Sequence, residues 1–516
     1  MNMINFRILL LAIIILLPIT QALSESGNYP SKVEVSLRKS GSNRAELEKA
    51  ILYYVEKGDS QMLQAVYFLI ENMDIHYGET YTIKDGTGTR LPFSEFEYPD
   101  INTASAAWDS IRQIKGHLNF QDSVSSDLQT IKANLLIDNI NKAFSVWRSS
   151  KYKDISFEDF CEYILPYRVT VEPLCDWRHE YHERYQWLGD SLQSKSLERV
   201  LEYAAMDYNM WFKSNYGGKP VFEEEPSTRL SAKQLLFRKT AGCENIAALE
   251  VFSLRSQGIP VAYDLIPWWG TSMGGHFVNT AFDEQMHPIH FDVTYHIQIN
   301  PTLAREPGKV LRLTYSKQPN ILASRVEWRE IPSSVLRTLN YKDVTDEWWE
   351  TADVHASLFS DIPSERITYA YIYNWGRWRP VWWGETQSDS VIFSKMPQGV
   401  VILPVYYKNG DTVPAGHPVL NAYNHVLHLA PDTVDLHTVE IKQENGYLKF
   451  RPNKKYELFY WDREWKSLGV QTTAEDTQTL VFANVPRNSL LRLIPEYTAG
   501  KERPFIILKN GKRYWW

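Results

Sequence analysis

Cysteine is the scarcest feature of this chain, with three in 516 residues. They allow one disulfide at most and leave a thiol over. No basic run suited to a phosphate backbone occurs, and a net charge of −7 gives nucleic acid or an anionic membrane no electrostatic hold. Phosphate-cradling glycine loops and the G-x-S-x-G elbow are missing. "RHEYHER" (Arg178 to Arg184) sets His179 and His182 three residues apart, whereas H-E-x-x-H needs four, so that metalloprotease motif is excluded. No EF-hand loop and no repeat of fixed period is present. No cofactor is therefore expected.

The apolar run "ILLLAIIILLPIT" is 13 residues long, short of the roughly 20 that a membrane span requires. It follows "MNMINFR", which carries Arg7 and no acid, and precedes Thr20-Gln21-Ala22, with small residues where a signal peptidase reads. Residues 1–22 are thus expected to be a signal peptide. The mature protein would be exported (periplasmic, cell-surface or secreted) with no membrane span after signal removal. No cysteine follows the run, which argues against a lipid anchor. In an oxidising compartment Cys161 and Cys175, 14 residues apart, are candidates for a disulfide. Cys243 is then the odd thiol.

A chain this long is expected to form several domains. Residues 23–214 read as a helical N-terminal region. "ELEKAILYYVEKGDSQMLQAVYFLIENM" repeats apolar residues at helical spacing with a break at Gly58-Asp59, and "SLERVLEYAAMDYNMWFKS" continues the pattern. "NYGGKPVFEEEPST" (Asn215 to Thr228) reads as a solvated acidic connector. Residues 215–343 change to a helix followed by strands, an α+β layer of helix on antiparallel sheet. Residues 344–430 and 431–516 hold short strands punctuated by Gly, Pro, Asn and Asp, with hairpin signals at Asn409-Gly410 and Asn510-Gly511. They are expected to form a β-sandwich-like domain and a second β-rich domain.

In "RKTAGCENIAALEVFSLRSQGIPVAYD", Cys243 follows a glycine and opens a helical pattern with Ala247, Val251 and Leu254 on one face, ending at Gly258. A helix N-terminus favours a thiolate, because unpaired N–H groups and the macrodipole point at it. His276 stands at the start of the strand candidate "HFVNTAF", behind the flexible pair Gly274-Gly275. Asp292 lies in the next candidate, "PIHFDVTYHIQI". A histidine to exchange protons and a carboxylate to orient it complete what a cysteine nucleophile needs.

The order Gly242-Cys243, helix, "LRSQGIPVAYD", strand, His276 with Asn279 three residues on, then Asp292, resembles the transglutaminase-like superfamily of papain-type cysteine enzymes. The resemblance covers residues 235–295, about an eighth of the chain. It implies Cys243 as nucleophile, His276 as general base and acid, and Asp292 as the orienting carboxylate. It also implies acyl transfer from a peptide or protein amide through a thioester, to water or to an amine. Val278 stands where many members carry tryptophan, and Trp268-Trp269 is the nearby substitute. The Cys243 N–H, with Gln234 or an upstream tryptophan, is the candidate oxyanion donor set. "WRPVWWG" and "KERPFIILKNGKRYWW" resemble the tail that accompanies this domain in exported bacterial proteins.

Three other readings compete. His290, Asp292, Thr294 and His296 share one strand face near His287, which invites zinc, although half-buried strand histidines more often pack and hydrogen-bond. The aromatic run "YIYNWGRWRPVWWG" (Tyr371 to Gly384) invites glycan stacking, although alternating aromatics in strands more often form core. The rival to catalysis is a non-catalytic surface or periplasmic protein that binds glycans or proteins through its β-domains.

Overall fold

A computed structural model describes residues 29–215, 220–226, 228–294, 298–423, 425–444, 448–508 and 511–515. The expected signal peptide, His296 and Asn510 lie outside them. The chain divides into two compact units: Met1–Gly78 with Val124–Asn141, and Glu79–Ser123 with Lys142–Trp516. Among the described residues no helix is long and apolar enough to cross a membrane. The architecture is mixed helix and sheet with several sheets, an α+β chain.

The smaller unit is built on helices α1 (Ser31–Lys39), α2 (Arg44–Lys57) and α3 (Ser60–Asn72). Their apolar residues recur at helical spacing, and Val33, Leu37, Leu47, Ile51, Leu69 and Ile70 are fully buried. Each such side chain contributes about 1.5–3 kcal/mol on burial. The chain breaks between α2 and α3 at the expected Gly58-Asp59, where the Asp59 carboxylate accepts the Met62 N–H at 3.1 Å.

The N-terminal region departs in part from the helical expectation. Tyr77–Lys84 and Asn119–Ser126 are strands of a two-stranded sheet. Their Thr, Tyr, Val and Phe residues suit a pleated surface and have no helical period. The acidic connector also differs from expectation. Phe222 is buried in the same small core as Ile83, Trp108 and Leu118. Glu225 is buried too, paired with Arg238 (2.8 and 3.0 Å), which also grips Glu95.

Helices α4 (Arg178–Leu192), α5 (Leu197–Trp211), α6 (Ala232–Arg238) and α7 (Cys243–Arg255) follow. Both α4 and α6 pack on α7. Beyond α7 run β1 (Val261–Ile266), β2 (His276–Phe282), β3 (Pro288–Asp292), β4 (Gln298–Ile299), β5 (Leu311–Leu313) and β6 (Tyr341–Asp343). They form one antiparallel sheet in the order β6-β5-β1-β2-β3-β4, and α7 lies on β1 and β2. The sequence gives α7 a single apolar face, yet every residue from Asn245 to Arg255 is buried, because helices cover its other sides. After α7 the chain turns at Gly258, with φ +72°, where a Cβ would sit 3.0 Å from the Val146 carbonyl oxygen.

Strands β7 (Thr351–Ser357), β8 (Ile367–Asn374), β9 (Arg377–Gln387), β10 (Ser390–Pro397), β11 (Val400–Lys408), β12 (Val419–Ala422) and β13 (His425–His428) form an antiparallel sheet in the order β7-β10-β9-β8-β11-β12-β13. In the last segment β14 (Asp432–Lys442) pairs with Thr479–Arg487, and a separate five-stranded sheet includes Lys455–Asp462 and Leu491–Pro495. Val439, Ile441, Leu458, Phe482 and Leu493 from both sheets share one core. The aromatic run is largely internal: Tyr371, Tyr373 and Trp382 are buried, and Trp378 packs edge-on against Tyr373 and Trp461. Cys161 and Cys175 are unpaired, and burial pushes both thiols up.

Candidate active site

Cys243 is the first residue of α7, with Gly242 as an N-cap that offers no side-chain bond. The two residues before Gly242 are tied down as a short parallel pair, Lys213 and Ser214 against Thr240 and Ala241. The first turn of α7 is pinned from several sides. Tyr263 donates its hydroxyl to the Glu244 carbonyl at 3.0 Å, Arg229 pairs with the Glu244 carboxylate, and the Leu230 N–H reaches Asn245 Oδ1 at 2.8 Å. The sulfur is half-buried.

His276 opens β2 opposite Ile266 of β1, and Asp292 closes β3. The β2–β3 register pairs Asn279 with Phe291. Continued one step, it sets Asp292 opposite Val278, a diagonal neighbour of His276, within reach of a long side chain. His276 Nε2 and Asp292 Oδ2 are 2.7 Å apart, with side-chain exposures of 10% and 16%. Cys243 lies close enough to the imidazole to act on it. Burial pushes the His276 imidazole down, but the bonds and charges of Asp292 and Cys243 outweigh it and raise the ring to about 9. Burial likewise pushes the Asp292 carboxyl up. The His276 bond and charge, with the Thr294 N–H (2.9 Å) and hydroxyl, hold it below the usual carboxylate range. At neutral pH the pair is imidazolium and carboxylate.

The structure thus brings Cys243, His276 and Asp292 together, and it relocates several neighbours. Val278 is buried in an apolar cluster with Ile266, Val310 and Trp348, against which Trp269 packs. Among the described residues Trp269 flanks His276, its ring centre 6.1 Å from that of the imidazole and the planes 26° apart. The Gly274-Gly275 pair is no flexible hinge: a Cβ on Gly275 would collide with the carbonyl oxygens of Ile266 and Pro267. Asn279 donates to the carbonyls of Ala247 (3.0 Å) and Ala262 (3.3 Å), joining β2 to α7 and β1.

Gln234 is removed from the oxyanion donors. Its carbonyl accepts the Ser231 N–H at 2.9 Å, and its amide donates to Glu95 at 2.7 Å. Of the zinc face, His296 lies outside the described residues and the other members have partners of their own. His290 stacks on Trp348 at 4.1 Å and bonds Thr280 and the Glu347 carbonyl, while His287 pairs with Asp283 at the surface. Thr294 orients Asp292. Among the described residues no group of His, Cys, Asp and Glu is arranged to hold a metal. Sequence reasoning missed Thr294 as a partner of Asp292, although Asp-x-Thr is the signature of an Asx turn. No protein-family model matches this chain, and no curated protein matches it.

Proposed function

We propose that this protein is an exported, transglutaminase-like cysteine enzyme that cleaves amide bonds of peptides or proteins. The observation that carries the reading is the His276–Asp292 pair at 2.7 Å, with Cys243, at a helix N-terminus, near enough to raise the same imidazole. An imidazolium beside a thiol at a helix start is the setting in which nucleophilic thiolates form.

Asp292 engages Nε2, and Nδ1 is the ring nitrogen that would serve the sulfur. The Cys243 thiolate adds to the amide carbonyl, and the tetrahedral oxyanion develops near the helix start, where the Cys243 N–H is the available donor. His276 passes its proton to the leaving amine, and collapse gives a thioester and a free amine. The neutral imidazole then takes a proton from water, the resulting hydroxide attacks the thioester, and a carboxylic acid and the thiolate–imidazolium pair are released. Asp292 fixes the tautomer and balances the imidazolium charge. An amine in place of water would give transamidation by the same steps, but water is the default acceptor.

The test is alkylation by iodoacetamide near neutral pH, localised to Cys243 by peptide mass spectrometry. Wild type is expected to react about tenfold or more faster than His276→Ala, since one unit of thiolate stabilisation is a factor of ten. Slow, His276-independent labelling would sink the catalytic reading and leave a binding protein.

A further inference from the structure

Asn374 is the last residue of β8, before the two-residue Trp375-Gly376 turn into β9, and is 1% exposed. Its side chain is directed away from its own sheet, to the loop between β1 and β2. Nδ2 donates to the carbonyls of Trp269 (2.9 Å), Ser272 (2.8 Å) and Gly274 (3.0 Å), and Oδ1 accepts the Gly274 N–H at 3.1 Å. Only a primary amide supplies two donors and an acceptor in so short a reach. Without it the Trp269 and Ser272 carbonyls and the Gly274 N–H lose this partner, while the Gly274 carbonyl keeps the Trp269 N–H, and a buried backbone tolerates such losses poorly.

The same loop is tied at its base by the Gly308 N–H to the Trp268 carbonyl and the Gly270 N–H to the Glu306 carbonyl, both 2.8 Å. Trp269 and Gly274 close it with a further 2.8 Å bond. A loop so fixed can hold the Trp269 ring in one place, near-parallel to the His276 imidazole and 6.1 Å from it between ring centres. An imidazole that must bond Asp292 on one side and Cys243 on the other tolerates little rotation.

We propose that Asn374 is a positioning residue of the Cys243–His276–Asp292 site: it locks the 268–275 loop so that the near-parallel Trp269 ring flanks the imidazole and limits its tilt. The sheet of β7 to β13 is then a working part of the site. This rests on the catalytic reading above for its meaning, but its geometry can be tested apart from that reading.

The measurement is the His276 titration midpoint by NMR, assigned by its loss in His276→Gln, together with the Cys243 alkylation rate. Asn374→Ala and Trp269→Leu are each expected to bring the midpoint down from about 9 toward the ordinary 6.5. Each is also expected to slow alkylation about tenfold. Asn374→Ser, which keeps one donor, should fall between. Tyr369→Phe is the control: it lies on the same strand and loses a 2.8 Å bond to the Glu330 carbonyl without touching the loop, and should leave both readouts at wild type.

If Asn374→Ala does not fold, Asn374→Ser decides on the same criteria. A variant that melts earlier but keeps the wild-type midpoint and rate overturns the proposal, as does a Tyr369→Phe protein shifted equally. If wild-type Cys243 labels slowly and independently of His276, the catalytic reading fails, while the midpoint comparison still decides the role of Asn374.

Discussion

His276 sits between Asp292 and Cys243, and its proton is held more tightly in the folded chain than in the unfolded one. A raised imidazole contributes stability that is fully present below about pH 6.5 and is lost as pH rises through about 9. Asp292, held low, contributes above the ordinary carboxylate value and loses its contribution as pH falls through its folded value. The pair therefore works between those limits. Thermal melts of wild type and His276→Gln should differ most near pH 6, by on the order of 3 kcal/mol, and converge on that account by pH 9 to 10. A gap that stays constant across that range would contradict the pairing. The residues of this trio were legible because their spacing along the chain follows the element boundaries: Cys243 after a glycine, His276 at a strand start, Asp292 at a strand end. Trp269 as the partner ring was not fixed by spacing. Trp268 and Trp269 are equal in sequence, and only the loop closed by Asn374 turns one of them onto the imidazole.

Helix α7 carries the sulfur and is enclosed on all sides, which makes its one buried carboxylate conspicuous. Glu250 is 3% exposed, and burial, with the nearby Asp207 charge, pushes its carboxyl up to about 8. The folded state binds this proton when the unfolded state has released it, so stability falls as pH rises from about 4.5 through 8. Glu250→Gln should remove that dependence. Its stability, read from thermal melts, should match wild type near pH 4.5 and exceed it increasingly to pH 8, by up to on the order of 4 kcal/mol. Equal melting of the two proteins at pH 8 would show that Glu250 is ionised in the fold. The 3.6-residue period of α7 was readable in the sequence, but its burial on every side was not, because the helices covering it lie at other places along the chain.

Across the larger unit, the six-stranded sheet and the sheet that follows it are pegged by a lysine. Lys309 has no exposed side-chain surface, and Nζ donates to Asp343 (2.6 Å) and to the carbonyls of Ser394 (3.0 Å) and Lys395 (2.9 Å). It also lies 4.1 Å from the Trp382 ring, so part of the tryptophan-rich run supports a buried cation, while Trp375 of the same run is 48% exposed. Removing one partner of a buried ion pair costs about 3–5 kcal/mol, since the other is left uncompensated. Lys309→Met should lower the first thermal transition accordingly, and an unchanged melting curve would refute this bracing role. The early strands at Tyr77–Lys84 and Asn119–Ser126 escaped a helical reading because pairing partners 35 or more residues apart decide them, and such partners leave no local period.

By itself the sequence determined the α+β class, the helix that starts at Cys243, the turn at Gly258, and the strands that carry His276 and Asp292. Capping residues, glycine conformation and apolar period act over a few residues, so they can be read from a few residues. Only the tertiary structure decided that Gln234 serves Glu95, that His290 belongs to Trp348, that Val278 lies in the core, and that Asn374 reaches back 100 residues to the loop beside His276. Each of these is a hydrogen bond or a ring contact between distant segments, and its partner is set by how the layers pack, which no local pattern encodes.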